Sequence, residues 1–598
     1  MDFIIVRAPL RRGFFERGKR MILPFLSPVS RERTVLSRFG GYCHTRTCGD
    51  GQFFDMKNLS SREAPLVRPR KQRGKVRQFS RPNGLFGRDK LCWADGTDFF
   101  YNGFRVGTVS DTEKQFVGMG AFVLIWPDKK YYNIQTGEFG DLGASVTTEG
   151  SVSFTLSQAD GTAYEGYTAS AEAPASPENG ALWLDTSQTP HTLKEYSSAS
   201  QMWVEIAVTF VKLTFANLGK LFRQYDGVTV SGCTAPGESL NGKTIIQSRG
   251  DDWIVIPGIL DTAFDQTEPV TVSREIPDMD FLTESENRIW GCSSKNHEIY
   301  ACKLGDPTNW NCFEGISTDS YSATIGSDGD FTGACTHLGN VLFFKEDSIH
   351  KVWGSRPADF QITNSPVRGV KKGSEGSLVI VNETLYYHSR NGVCAYDGSL
   401  PVSISAPLGS VALENARAGT VGDCYYLSAR EPDGTAVLLV YDEGCGLWHR
   451  EDDVAVRWFA RVGGELYFVA EDNGLYAVNG STALYEGDEE ALGEKEGPVE
   501  WFCETGDLGG GPFQYLSGLQ LCFQLEAGSG AAVKLCCDGG PWEPVAECTA
   551  TEKRVVTLPI VPRRCVFLRL RLEGQGDMVL YSVTRITETG TELPVKGG

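Results

Sequence analysis

No run of about 18 apolar residues occurs anywhere in the 598-residue chain, so no segment can satisfy its own backbone as a bilayer-spanning helix. Ala- and Leu-rich helical stretches are few, which excludes a helical bundle. The first residues, MDFIIVRAPLRRGFF, interrupt their apolar positions with Arg7, Arg11 and Arg12 before a secretory hydrophobic segment could form, so export by that route is not expected. Only seven histidines are present, scattered and without an H-E-x-x-H, and no G-x-S-x-G elbow occurs. GSGAA from Gly528 lacks the Gly-Lys-Ser/Thr ending of a phosphate loop and reads as a hairpin turn. The Ser-x-Asp-x-Gly-x-Thr-Trp box of sialidase-like propellers is absent, GSDGDFT from Gly326 being a loose approach to it. Propeller glycosidases draw their acids from separate blades and are the enzymatic rival. The expectation from these absences is nonetheless no catalytic residue, no metal, no cofactor and no enzyme.

The 17 cysteines are odd in number and thinly spread, which fits reduced thiols better than a disulfide framework. Cys43 and Cys48, with His44, are the nearest thing to a zinc half-site, but no second pair of ligands follows nearby. Cys292, Cys302 and Cys312 recur at even spacing and read as buried thiols on one strand face. Cys536 and Cys537 are adjacent and point to opposite faces.

What the chain does have is glycine, 68 residues of it, and 11% aromatics, the composition of an all-β protein rich in turns. A hairpin unit recurs: apolar strand, short turn with Gly, Asn or Asp, second apolar strand, often a closing Gly. Seven copies start at Leu91, Phe122, Ile289, Val341, Leu385, Tyr425 and Leu466, the last five at intervals of 52, 44, 40 and 41 residues. That interval is one four-stranded blade, so the fold class predicted is a β-propeller of six or seven blades. Asn391-Gly392 and Asn473-Gly474 offer the positive φ of type I′ hairpin turns. The reading divides the chain into a basic arm over 1–34, a strap over 35–88, propeller parts over 89–140 and 281–482, inserted β modules over 141–280, a linker over 483–498 and a C-terminal β-sandwich over 499–598. In the last, Arg569 and Arg571 alternate with Leu568, Leu570 and Leu572, as in a half-buried antiparallel strand.

Charge is unevenly spread. Residues 1–90 hold 21 Lys and Arg against 7 Asp and Glu, a balance of +14 in a chain of net −19, which leaves −33 for the remainder. The segment Arg68, Arg70, Lys71, Arg73, Lys75, Arg77 is the candidate contact with a partner or with DNA, although no aromatics interleave as base-stacking platforms would. The insertion supplies the other candidate: Trp183, Tyr196 and Trp203, the aromatics of a small β unit suited to ligand binding.

Several strings carry a resemblance: SRFGG from Ser37, GDGQFFDMKNLSSREAPLVRPRKQRG from Gly49, NRIWGC from Asn287, KLGDPTNWNCFEG from Lys303, THLGNVLFFKEDSIHKVWG from Thr336, VNETLYYHSRNGVCAYDGSLP from Val381 and GLWHRED from Gly446. Over about residues 35 to 480 the chain resembles proteins from the structural gene clusters of tailed phages and prophages of Gram-positive gut bacteria, often labelled stabilization proteins. These are distantly like the packaged-DNA stabilisation, or tail hub, proteins of short-tailed phages. The segment from Pro177 to Ile206 looks like short modules of phage tail and fibre proteins. The resemblance implies a virion protein of tail or neck, made in the host cytoplasm. Its implied partners are further copies in a ring, expected to be hexameric, portal, head-completion or other tail proteins, and packaged DNA. The function expected on this basis is a non-enzymatic, ring-forming hub that closes or extends the DNA channel and stabilises packaged DNA. The alternative is a tail-associated receptor- or glycan-binding protein that contacts host surface glycan through the insertion.

Overall fold

The paired apolar strands form seven antiparallel sheets whose first strands stand side by side in a closed ring. The computed structural model describes residues 30–45, 47–410, 412–549 and 552–589, so most of the expected arm, residues 1–29, lies outside it. The innermost strands of blades 1 to 7 are Pro82–Gly87, Gln115–Met119, Phe281–Ser285, Gly333–His337, Val379–Val381, Glu414–Val421 and Val456–Val462. Blade 7 neighbours blade 1, and the short turn Glu375–Ser377 fills the ring beside blade 5.

Packing between blades explains why the second strands read as continuous apolar runs. Side chains alternate between faces, but each blade is covered on both. In Asn340–Lys345, Val341 and Phe343 pack with Trp290, Cys292 and Ile299 of blade 3. Leu342 and Phe344 pack with Leu385, Tyr387 and Cys394 of blade 5.

The ring is closed by the amino-terminal strap. Gly74–Gln78 pairs antiparallel with Gly474–Ala477 as the fourth strand of blade 7, and Glu494–Lys495 pairs beyond it. Gly74 is required there: a Cβ would lie 2.0 Å from the Ser481 carbonyl oxygen. Earlier in the strap, Ser30–Leu36 pairs with Met578–Thr589 and Phe53–Lys57 with Glu500–Thr505. Both are strands of the nine-stranded, branched sheet of the C-terminal β-sandwich. The expected boundaries are corrected accordingly: part of the arm and strap belongs to the sandwich, blade 1 begins at Pro82, and the linker region contributes a strand. The sandwich and blades 5 and 6 share one core, which runs from Leu519, Leu521 and Leu570 to Tyr386, Tyr425 and Trp448.

Between blades 2 and 3, two sheets enclose the core of Phe154, Leu213, Val230 and Ile254. A third sheet, Thr168–Ser170 through Met202–Glu205, is nested within them. Arg274 ties the insertion's last strand to Asp226 at 2.6 Å and to the Leu142 carbonyl where the chain leaves blade 2, and Asn309 of blade 3 accepts from the Gly227 N–H and donates to the Tyr225 carbonyl.

Candidate binding site at the propeller axis

The basic segment is an internal clasp, which corrects its expected role as a contact with DNA or a partner. Arg70 pairs with Glu496 at 2.6 Å, and Arg73 with Glu451 at 2.6 Å and Asp452 at 2.7 Å. Arg77 pairs with Asp488 at 2.6 Å and with Glu490. All three arginines are buried. Arg68 grips Asp577 of the sandwich at 2.7 Å, Lys75 lies over the Tyr476 ring, and exposed Lys71 reaches Asn479. Burial works against the Arg73 guanidinium, but Asp452 and Glu451 outweigh it and hold its pKa above the ordinary value. Burial likewise raises the Glu496 carboxyl, and Arg70 overcomes this and lowers it.

Nor do the insertion aromatics form an open platform. Trp183 is 7% exposed, spends its indole N–H on Ser170 and carries Lys194 Nζ 4.9 Å from its ring. Trp203 meets Trp183 and Tyr196 edge-on, at ring separations of 5.4 and 5.3 Å. The three stabilise the nested sheet from within.

Cys312, Glu314 and Asp319 bring their donor atoms within 4.8 Å of one another. The cation there is Lys303, whose Nζ lies 3.2 Å from the Cys312 sulfur, and burial pushes the thiol up to about 11. Asp319 is occupied by the backbone N–H groups of Glu314, Gly315 and Ile316, so the group suits a structural turn better than a metal.

The site with the means to bind lies where the inner strands begin. There an open cavity of about 480 Å³ is walled by Trp126, Phe281, Trp458 and Phe459, with Glu113, Lys114, Gln115, Asp280, Glu375, Arg417 and Arg457 among them. Every blade but the first contributes. Local irregularity places the arginines: the ladder slips between Glu414 and Arg417, with Asn415 at φ 50°, and again between Val456 and Trp458. Such bulges re-aim side chains near sites. Arg417 crosses Gly376, where a Cβ would stand 2.5 Å from its Cδ, and pairs with Glu375 at 2.9 Å. Buried Lys114 pairs with Asp128 at 2.7 Å. Burial raises the Asp128 carboxyl, but Lys114 and the Ser110 N–H more than reverse this.

Several groups lining this cavity lack a protein partner among the described residues. Exposed Arg457 and Glu113 have no ionic partner. Trp126 is 4% exposed, and its indole N–H has no acceptor, although buried donors are nearly always paired. Aromatic faces beside amides, carboxylates and guanidiniums provide the stacking surface and hydrogen-bonding groups that a pyranose ring needs. The sequence held only faint signals of this site, because its members are single residues at the starts of separate blades.

No protein-family model and no curated protein matches the chain. Among solved structures it is similar to an exo-β-1,3-galactanase from Phanerochaete chrysosporium, at 10% identity and TM-score 0.20, over 50% of this chain and 95% of that one. It is also similar to a GH43 glycoside hydrolase engineered for endo-xylanase and exo-arabinofuranosidase activity, at 10% identity and TM-score 0.19, over 51% and 97% of the two chains. A Bacillus thuringiensis Cry1Da core variant follows at 10% identity and TM-score 0.14, over 43% and 50%. Glycoside hydrolases thus stand where the expectations of a non-enzymatic ring hub and of no enzyme would have placed virion hubs. Both expectations are withdrawn in favour of the glycan-binding alternative. At TM-scores near 0.2 the likeness assigns no activity to this chain.

Proposed function

We propose that this chain is a glycan-binding propeller of a phage tail, with its saccharide site at the axial cavity. The observation that carries the reading is the cavity itself: aromatic walls from Trp126, Phe281, Trp458 and Phe459 around unsatisfied donors and acceptors on a rigid ring. The tail placement is supported by the sequence resemblance of residues 35 to 480 alone. Glycan arrays probed with the full chain test the reading. Saccharide binding is expected, and Trp458→Ala should weaken it about 5- to 150-fold, a loss of about 1–3 kcal/mol for one stacked ring by analogy with base–aromatic stacking. Binding unaffected by that substitution would move the site elsewhere.

A second reading, hydrolysis of the bound glycan, is favoured by Glu113, Asp280 and Glu375, three carboxyl groups from separate blades at one cavity, since glycoside cleavage requires a carboxyl pair. Release of reducing ends from the array-selected glycan, abolished in Glu113→Gln, Asp280→Asn or Glu375→Gln, would establish it.

A further inference from the structure

We propose that the axial mouth prefers a zwitterionic saccharide, one bearing both an amine and an anionic group, held with its amine toward blades 2 and 3 and its anion toward blades 6 and 7. This rests on the glycan-binding reading above. The charges around the mouth are sorted by blade. Glu113 stands two residues before the inner strand of blade 2, Lys114 between them being offset by Asp128, and Asp280 directly precedes that of blade 3. Asp280 accepts only the Ser294 N–H at 2.6 Å, through Oδ2, so Oδ1 remains for a ligand.

Arg417 and Arg457 stand on the inner strands of blades 6 and 7. In a seven-membered ring, blade 3 lies three steps from blade 6 and three from blade 7, the greatest separation possible. Glu375 offsets Arg417, which leaves Arg457 as the unpaired cation on that side among the described residues, three blades from Asp280 and two from Glu113. Such a field orients a dipolar ligand and repels a reversed one, and charge-assisted hydrogen bonds are roughly twice as strong as neutral ones. The indole N–H of Trp126, beside the carboxylate side, is a further donor without an acceptor.

Four sugars that differ only in charge provide the test: glucose, glucosamine, glucose 6-phosphate and glucosamine 6-phosphate, titrated calorimetrically into the full chain at low and high salt. Glucosamine 6-phosphate should bind about tenfold tighter than glucose at low salt, and the margin should shrink as salt screens exposed charge. In Glu113→Gln/Asp280→Asn the amine should lose its advantage while the phosphate keeps its own. Arg457→Gln should do the reverse. Equal affinity for all four, or a charge preference untouched by these variants, overturns the inference and leaves the glycan reading intact. So does an array-selected glycan that binds while none of the four does. If no saccharide binds in either experiment, both fail.

Discussion

At the scale of single residues, stability is concentrated where charge is buried. Arg73 is 5% exposed, holds Glu451 and Asp452, and lies 5.3 Å from the Phe468 ring. Removing one member of a buried pair strands the other, so Arg73→Ala should cost about 3–5 kcal/mol, read as a fall in the urea unfolding midpoint. Arg81→Ala, which breaks an exposed pair with Asp111, should cost no more than about 1 kcal/mol. Protonation gives a second handle. Burial lowers His350, His388 and His449 to about 4, whereas an unfolded histidine titrates near 6.5. Between those values the unfolded chain binds more protons than the folded one, so stability should be full above about pH 6.5 and decline toward pH 4. Melting temperatures that stay flat from pH 7 to 5 would contradict this. The charges of Arg68 to Arg77 are plain in the sequence, but their partners lie up to 509 residues away, so the segment resembles a free arm until the fold is known.

At the scale of elements, the hairpins were legible because their middle strands are apolar on both faces. Outer strands were not: Val402–Ser403 has two exposed residues, and the fourth strand of blade 7 comes from the opposite end of the chain. The turns differ from expectation as well. Gly392 takes φ 105° and Asn473 φ 65°, but Gly392 is paired with Ser389 in the ladder, so Asn391-Gly392 is not the central pair of a type I′ turn. The closing strand is the vulnerable element. Gly74→Ala, which would drive a Cβ into the Ser481 carbonyl, should lower the melting temperature and admit protease to blade 7. Gly464→Ala, with nothing within 4 Å of its added Cβ, should do neither.

For the molecule as a whole, the split between a basic amino end and an acidic body is a complementarity within one chain. The strap threads the sandwich at Ser30–Leu36 and Phe53–Lys57, anchors at Asp577 through Arg68 and Arg62, and closes the propeller with Arg70, Arg73 and Arg77 buried against the body's acids. This use of charge leaves the seven-bladed ring rigid and its axial mouth open, with aromatics and unpaired polar groups exposed to a ligand. The axial site was illegible in sequence for the same reason that it is well built: its lining residues come from six blades, and only ring closure brings them together. The most direct test is a crystal structure of the full chain with an array-selected saccharide. The sugar should lie at the axis, stacked on Trp458 or Phe281 and within hydrogen-bonding distance of Arg457 and Asp280. A sugar seated on Trp203 of the insertion, with the axial cavity holding only water, would contradict the proposed function.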